Sequence, residues 1–298
     1  MDIKKYEVLL DAIDKGSFIR ACEELGYTQS GLTHMMNSLE KEVGFPLLQR
    51  SNKGIQLTPE GQEVLGDIRE LVRLNDRLEQ KFSRIRGMET GKVRVGSYPT
   101  IACAWLPRII HRFRELYPGI RVEVQEESSI RRLERNLQEG RLDLGFFSRQ
   151  PGFALEWISL EKDPYLAVLP ADHPLAALEE VPAEKLMGEA FLMCKSIEGL
   201  DPDIVRYYKE NGLPIASSYS FNSDTTIVHM VEQKVGVSML PKLFLDVALD
   251  GASGRVVTRP MTPPACRELG LAARSFRNMS PAMEQFVRCA REVLAATI

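Results

Sequence analysis

The stretch Ser17-Phe18-Ile19-Arg20-Ala21-Cys22-Glu23-Glu24-Leu25-Gly26-Tyr27-Thr28-Gln29-Ser30-Gly31-Leu32-Thr33 decides the fold. Ser17 suits a helix N-cap, and Phe18, Ala21, Cys22 and Leu25 recur at helical spacing. Gly26 stands where a helix end takes a left-handed residue. A second helix begins at Thr28-Gln29, with Leu32, Met36, Leu39 and Val43 as its inward stripe and Gly44 as its stop. Behind it, Leu47 to Pro59 reads as a small hairpin. Two helices on a tight Gly turn, followed by a wing, predict a winged helix-turn-helix whose second helix enters a DNA major groove.

The outward face of that second helix carries Gln29, Ser30, Thr33, His34 and Asn37. Amides suit adenine and hydroxyls suit several base edges. In the wing, Arg50 and Lys53 can meet phosphate or a minor groove, and Asn52 offers a neutral contact. For any one of these residues a solvated surface helix explains the pattern as well; for the whole arrangement that explanation is weak. Charge adds little: residues 1–57 hold seven Lys or Arg against eight Asp or Glu, and the chain's formal net charge is -3. A basic stripe is absent, so DNA affinity rests on Arg20, Lys41, Arg50 and Lys53, and on having two copies of the domain.

Residues 59–86 supply a means of pairing. Thr58 caps, Pro59 opens, and Val64, Ile68, Leu71, Asn75, Leu78, Phe82 and Ile85 alternate in steps of four and three. That 3.5-residue period is a coiled-coil seam, with Asn75 as the single polar residue that can set register. About 28 residues rising 1.5 Å each give a rod of about 42 Å. The alternative is one amphipathic helix packed on its own domain.

The run Ser17-Phe18 … Ala21 … Leu25 … Gln29-Ser30 … Leu32-Thr33 … Leu39-Glu40 … Gly44 … Leu47-Leu48 … Arg50 … Leu57-Thr58-Pro59 … Gly61 resembles the N-terminus of the LysR-type transcriptional regulators. Leu106-Pro107 … Phe113 … Tyr117-Pro118, Leu142-Asp143-Leu144-Gly145, His173-Pro174-Leu175-Ala176 and Gly236-Val237-Ser238-Met239-Leu240-Pro241 extend the resemblance over nearly the full length. Departures are Gly31 where Ala is usual, Leu48 for Phe, Lys234 for Gly, and Met35-Met36 for an aliphatic pair. The resemblance implies an α/β chain with three parts: a winged helix-turn-helix over 1–58, a long linker helix for dimerisation over 59–88, and a two-lobed Rossmann-like effector-binding domain over 89–298, similar to periplasmic binding proteins. Lobe I would take about 89–163 and 267–298, and lobe II about 164–266. It also implies an inverted-repeat operator in double-stranded DNA, a homodimer or homotetramer, and RNA polymerase as a further partner.

Beyond Gly87 the residues themselves alternate between strand and helix patterns, and about 210 residues suit two α/β lobes. Ligands of open α/β sheets bind beyond the carboxyl ends of strands. Hydroxyl-rich turns follow four such ends: Ser97-Tyr98-Pro99-Thr100, Ser128-Ser129, Lys195-Ser196 and Asn222-Ser223-Asp224-Thr225. Their N–H and hydroxyl groups predict an anionic effector, with Lys195 as its counter-charge and Phe147, Tyr98 and Phe191 as apolar walls. Asp224 would oppose an anion unless it caps its helix. Helix capping alone is the plainer explanation for Ser129 and Asp224 taken singly.

Catalytic and metal sites find no support. The four histidines lie on separate elements, and neither a phosphate loop nor a nucleophile elbow is visible. Five cysteines without a CxxC pair suit reduced thiols in a cytoplasmic protein; redox sensing by Cys103 or Cys194 ranks below simple packing. With no apolar leader or membrane span in view, the expectation is a cytoplasmic protein without a cofactor. The competing reading is a cytosolic ligand-binding module that reads no DNA sequence; an enzyme on the same two-lobed fold ranks behind it.

Overall fold

The computed structural model describes residues 2–51, 54–87, 90–196, 199–214, 217–249 and 254–296. Two compact units divide the chain: residues 1–91 with 139–141, and residues 92–138 with 142–298.

The first unit opens with three helices, α1 (Ile3–Lys15), α2 (Phe18–Leu25) and α3 (Gln29–Val43). Gly26 and Gly44 end α2 and α3 at φ 69° and 89°, a backbone that an L side chain resists. Thr28 caps α3, its hydroxyl accepting from the Gly31 N–H at 3.1 Å. Ser17 has the extended backbone of a cap, but its hydroxyl makes no capping bond. Leu9, Ala21, Leu32, Met36 and Leu39 close a shared core from all three helices.

The wing is an antiparallel pair, β1 (Leu48–Ser51) and β2 (Gly54–Leu57), with Leu48 opposite Leu57. Its start is tied to α3, because the Glu40 carboxylate accepts from the Leu47 and Leu48 N–H groups at 2.7 and 2.9 Å. Its end is tied to the long helix α4 (Pro59–Ile85) through Thr58, which accepts from Gly61 N–H and donates to Pro46 O. A Cβ on Gly61 would come within 2.3 Å of Leu47 O, so only glycine lets α4 approach the wing this closely.

Helix α4 divides the expected seam in two. Ile68 and Val72 are buried in the core of α1–α3, with Val64, Leu65 and Leu71 packed around it. Arg69, buried on the same stretch, donates to Asp14 of α1. Further along, Leu74, Leu78, Phe82 and Ile85 are 48%, 46%, 45% and 81% exposed. The two explanations of the heptad pattern therefore apply to different halves: packing on its own domain accounts for the first, and leaves the second uncovered.

The second unit runs β3 (Gly91–Ser97), α5 (Pro99–Ala104), α6 (Leu106–Leu116), β4 (Ile120–Glu126), α7 (Ile130–Gln138), β5 (Leu144–Ser148) and the 15-residue β6 (Glu156–Pro170). Then come β7 (Val181–Pro182), α8 (Ala183–Met187), β8 (Phe191–Ser196), β9 (Gly199–Leu200), α9 (Pro202–Glu210), β10 (Tyr219–Phe221) and α10 (Asp224–Glu232). The chain ends with β11 (Val237–Pro241), α11 (Lys242–Ala248), β12 (Val256–Arg259), β13 (Met261–Thr262), β14 (Ala265–Ala273) and α12 (Pro281–Ala295).

The main sheet has the order β10-β8-β11-β6-β14-β5-β3-β4. Its outer parts contain parallel pairs: β3 with β5, and β10 with β8 with β11. The middle is antiparallel, β14 lying along β6 from Ala265 opposite Tyr165 to Ala273 opposite Glu156. From Tyr165 onward, β6 pairs with β11, and over 167–170 with β12 as well. These two long strands are the crossovers between lobes.

Each lobe has its own core. Phe113, Phe146 and Phe286 anchor the first, with ring centroids 5.1–6.4 Å apart, and α12 returns to it. Phe191, Tyr208 and Met193 belong to the second, on one face of its sheet. Each such side chain adds roughly 1.5–3 kcal/mol by leaving water. Phe191 is thus core, not cleft wall. Helices α5 and α6 are separated at Trp105, because Pro107 has no N–H to continue the ladder.

Candidate functional site

In the first unit, the spacing of Leu32, Met36 and Leu39 fixes which face of α3 is free. All three are at most 2% exposed, and Gln29, Ser30, His34 and Asn37 are exposed on the other side, with Thr33 half-buried at the border. Arg20 on α2 and Lys41 near the end of α3 are exposed too. The expected wing contacts Asn52 and Lys53, and the Arg50 side chain, lie outside the described residues. Short polar side chains on a helix pinned from behind by a buried stripe can approach base edges without distorting the domain.

In the second unit, chain turns from both lobes line a cavity of about 530 Å3. Six of the residues expected from sequence line it: Tyr98, Thr100, Ser128, Lys195, Asn222 and Thr225. Three do not. Ser97 is fully buried, and its hydroxyl donates to Tyr98 O. Ser129 is 2% exposed and caps α7, accepting from the Arg132 N–H at 3.1 Å. Phe147 is buried with its ring 5.5 Å from Phe153 and 5.7 Å from Trp157, in a small core beneath α7. Side chains alternate across a strand, so the last residue of β3 points into the fold and the next faces the cavity. The Ser196 side chain lies outside the described residues.

Sequence reasoning missed Glu126, Glu127 and Phe244, which also line the cavity. The two glutamates could have been found as the residues that directly precede Ser128 at the end of a strand. Phe244 lies on α11, a helix that the sequence did not announce. Pro99, Cys103, Cys194, Ser223 and Asp224 complete the lining. Ser223 caps α10, its hydroxyl accepting from the Thr226 N–H, so Asp224 is the first helical residue rather than the cap. Cys194 and Asp224 lie together in the lining. Burial, then Asp224, pushes the Cys194 thiol far above the ordinary range, which opposes the thiolate that redox chemistry needs. Burial likewise raises the Asp224 carboxyl.

The cavity floor is braced from behind. Arg267 of β14, 3% exposed, donates to Thr100 Oγ1 at 3.1 Å and to Asp163 Oδ2 of β6. The other Asp163 oxygen accepts from the Leu243 N–H at 2.9 Å, at the start of α11 and next to Phe244. Asp201 caps α9 by accepting from the Asp203 and Ile204 N–H groups; burial, then the charge of Asp203, raises its carboxyl to about 6. No cluster of metal-ligating side chains occurs among the described residues. No helix among them is long and apolar enough to cross a membrane.

Comparison with known proteins agrees with a helix-turn-helix domain followed by an effector-binding domain. Residues 3–62 match the model for the bacterial regulatory helix-turn-helix protein, lysR family, and residues 86–295 match the LysR substrate binding domain. The chain belongs to the LysR family of transcriptional regulators: a helix-turn-helix DNA-binding protein with an effector-binding domain. Among its relatives, an uncharacterized HTH-type transcriptional regulator, YvbU, of Bacillus subtilis is 26% identical over 99% of this chain and 100% of its own. The HTH-type transcriptional activator CmpR of Synechocystis is 27% identical over 85% of this chain and 82% of its own. A full-length OxyR variant from Pseudomonas aeruginosa shares the fold, with a TM-score of 0.78 and 23% identity over 99% of this chain and 94% of that one.

Proposed function

We propose that this regulator reads its operator through α3, pairs through α4, and is switched by a small molecule in the 530 Å3 cavity. Its parts are a reading domain over 1–58, a pairing helix over 59–88 and an effector domain over 89–298. Thr33, His34 and Asn37 contact base edges in the major groove; Gln29, Ser30 and Arg20 hold phosphates; Arg50, Asn52 and Lys53 of the wing meet the adjacent backbone. The observation that carries this reading is the polar face of α3, set opposite the buried Leu32, Met36 and Leu39. With a net charge of -3, one domain has little electrostatic hold on DNA, and two domains on two half-sites supply it.

Leu74, Leu78, Phe82 and Ile85 support pairing, since a row of exposed apolar side chains on a 27-residue helix is covered by the same row of a second copy. Ligand binding at turns from both lobes favours one arrangement of the lobes over another, and so changes the spacing of the two reading helices. A protein of this kind works in the cytoplasm and passes its signal to RNA polymerase. Selection of bound duplexes from a random pool, read at two salt concentrations, tests the proposal. It predicts enrichment of an inverted repeat. Salt-sensitive background without a motif would instead support a ligand-binding module that reads no sequence.

A further inference from the structure

The charge around the cavity is at odds with an anionic effector. Among the described residues, three carboxylates, Glu126, Glu127 and Asp224, line it against one ammonium, Lys195. Glu127 is engaged by its own turn, accepting from the Ser129 N–H at 3.0 Å with the Arg132 guanidinium 3.6 Å away. That leaves Glu126, exposed, and Asp224, half-buried, facing the cavity with negative charge; Lys195 is exposed to solvent.

Asp224 is the more telling of the two. A helix N-terminus attracts an anion, and that attraction was the reason to expect an acidic ligand at the turn 222–225. The carboxylate of Asp224, in the first turn of α10, already supplies the anion, and Ser223 supplies the cap. Its neighbour in the cavity lining is the Cys194 thiol, which is at best a weak donor. A carboxylate held partly out of water gains from a cationic group brought next to it. Arg267 cannot serve as a free cation for a ligand, since it is paired with Asp163 inside the floor.

We propose that the effector is a small organic compound carrying a primary ammonium group, seated against Asp224 with Glu126 as the outer carboxylate. The proposal rests on the reading of this cavity as the effector site. The Tyr98 ring, Pro99 and Phe244 give the ligand's hydrocarbon body an apolar surface, and Lys195 at the rim accommodates an acidic end if the compound is an amino acid. A cavity of about 530 Å3 accepts compounds of that size.

The test is titration calorimetry on the full chain with amines and their carboxylate counterparts: benzylamine against benzoate, and 1,4-diaminobutane against succinate. The expected result is binding by at least one amine, with affinity lowered roughly ten- to a hundredfold by Asp224→Asn. Glu126→Gln, at an exposed position that leaves the fold untouched, should lower it by a smaller factor. Thr225→Trp, which fills the cavity, should abolish it. Binding of a carboxylate that Thr225→Trp abolishes would overturn the ammonium proposal and keep the cavity as effector site. Binding that Thr225→Trp leaves intact would overturn both. Silence from both amines, or amine binding indifferent to Asp224→Asn and Glu126→Gln, would also overturn the proposal.

Discussion

Arg267 Nε donates to Asp163 Oδ2 at 2.9 Å, and both side chains are at most 2% exposed. The pair joins β14 to β6, the two strands by which the chain crosses between lobes, and each partner has a second duty. Arg267 holds Thr100 in the cavity floor, and Asp163 holds the first turn of α11 beside Phe244. Removing one charge strands the other in the interior. Asp163→Asn is expected to cost about 3–5 kcal/mol in urea denaturation. A loss below about 1 kcal/mol would mean that Arg267 finds another partner.

A raised carboxyl gives stability a definite slope with pH. Asp201 is neutralised in the folded chain at about 6 and at about 3.8 in the unfolded chain, so between these values the folded state holds more protons. Its contribution is therefore present in full below pH 3.8 and is lost as pH rises through about 6. Asp201→Asn keeps an oxygen for the α9 cap and removes the titration. The difference in unfolding free energy between variant and wild type should grow in the variant's favour from pH 4 to pH 7. A constant difference would contradict the assignment.

Lys234 lies at φ 60° after α10, the one described non-glycine residue with a positive φ. Its Cβ strains that backbone, and an exposed ion pair with Asp172 offsets little of the strain. Lys234→Gly is expected to raise stability by roughly 1 kcal/mol, measured as a shift of the denaturation midpoint.

Cys103 is exposed at the cavity, and Cys194 is half-buried in the lining with Asp224. Limited alkylation with iodoacetamide at pH 8, followed by peptide mass spectrometry, should label Cys103 well before Cys194. Faster labelling of Cys194 would contradict the packing described for it and revive a redox role.

The uncovered end of α4 predicts its own result. Leu78→Glu with Phe82→Glu removes apolar surface that the domain core does not use, so the chain should stay folded and sediment as a smaller species. An unchanged sedimentation coefficient would place pairing elsewhere.

The first unit was legible because its signals are local. Thr28, Gly26, Gly44 and Pro59 mark helix ends within a residue of where they fall, and the stripe Leu32, Met36, Leu39 is helical in any context. The crossover strands were harder to read. Glu161, Lys162 and Asp163 interrupt the apolar pattern of β6, and only pairing with the distant β14 makes that stretch a strand. The same holds for the cavity. Turns could be found by composition, but whether Ser97 or Tyr98 faces inward depends on register, and Phe244 arrives from a helix more than 100 residues away from either. The sign of the cavity's charge emerged only when Glu126 and Asp224 were brought to one surface.

The reading face of α3 is the centre of this account, and random-duplex selection tests it most directly when wild type is compared with Thr33→Ala, His34→Ala, Asn37→Ala combined in one chain. His34 and Asn37 are on the side of α3 away from its buried stripe and Thr33 is at its border, so the variant should fold, pair and bind DNA weakly. Wild type should enrich an inverted repeat, and the variant should show salt-sensitive binding with no motif. Recovery of the same repeat by both proteins would contradict it.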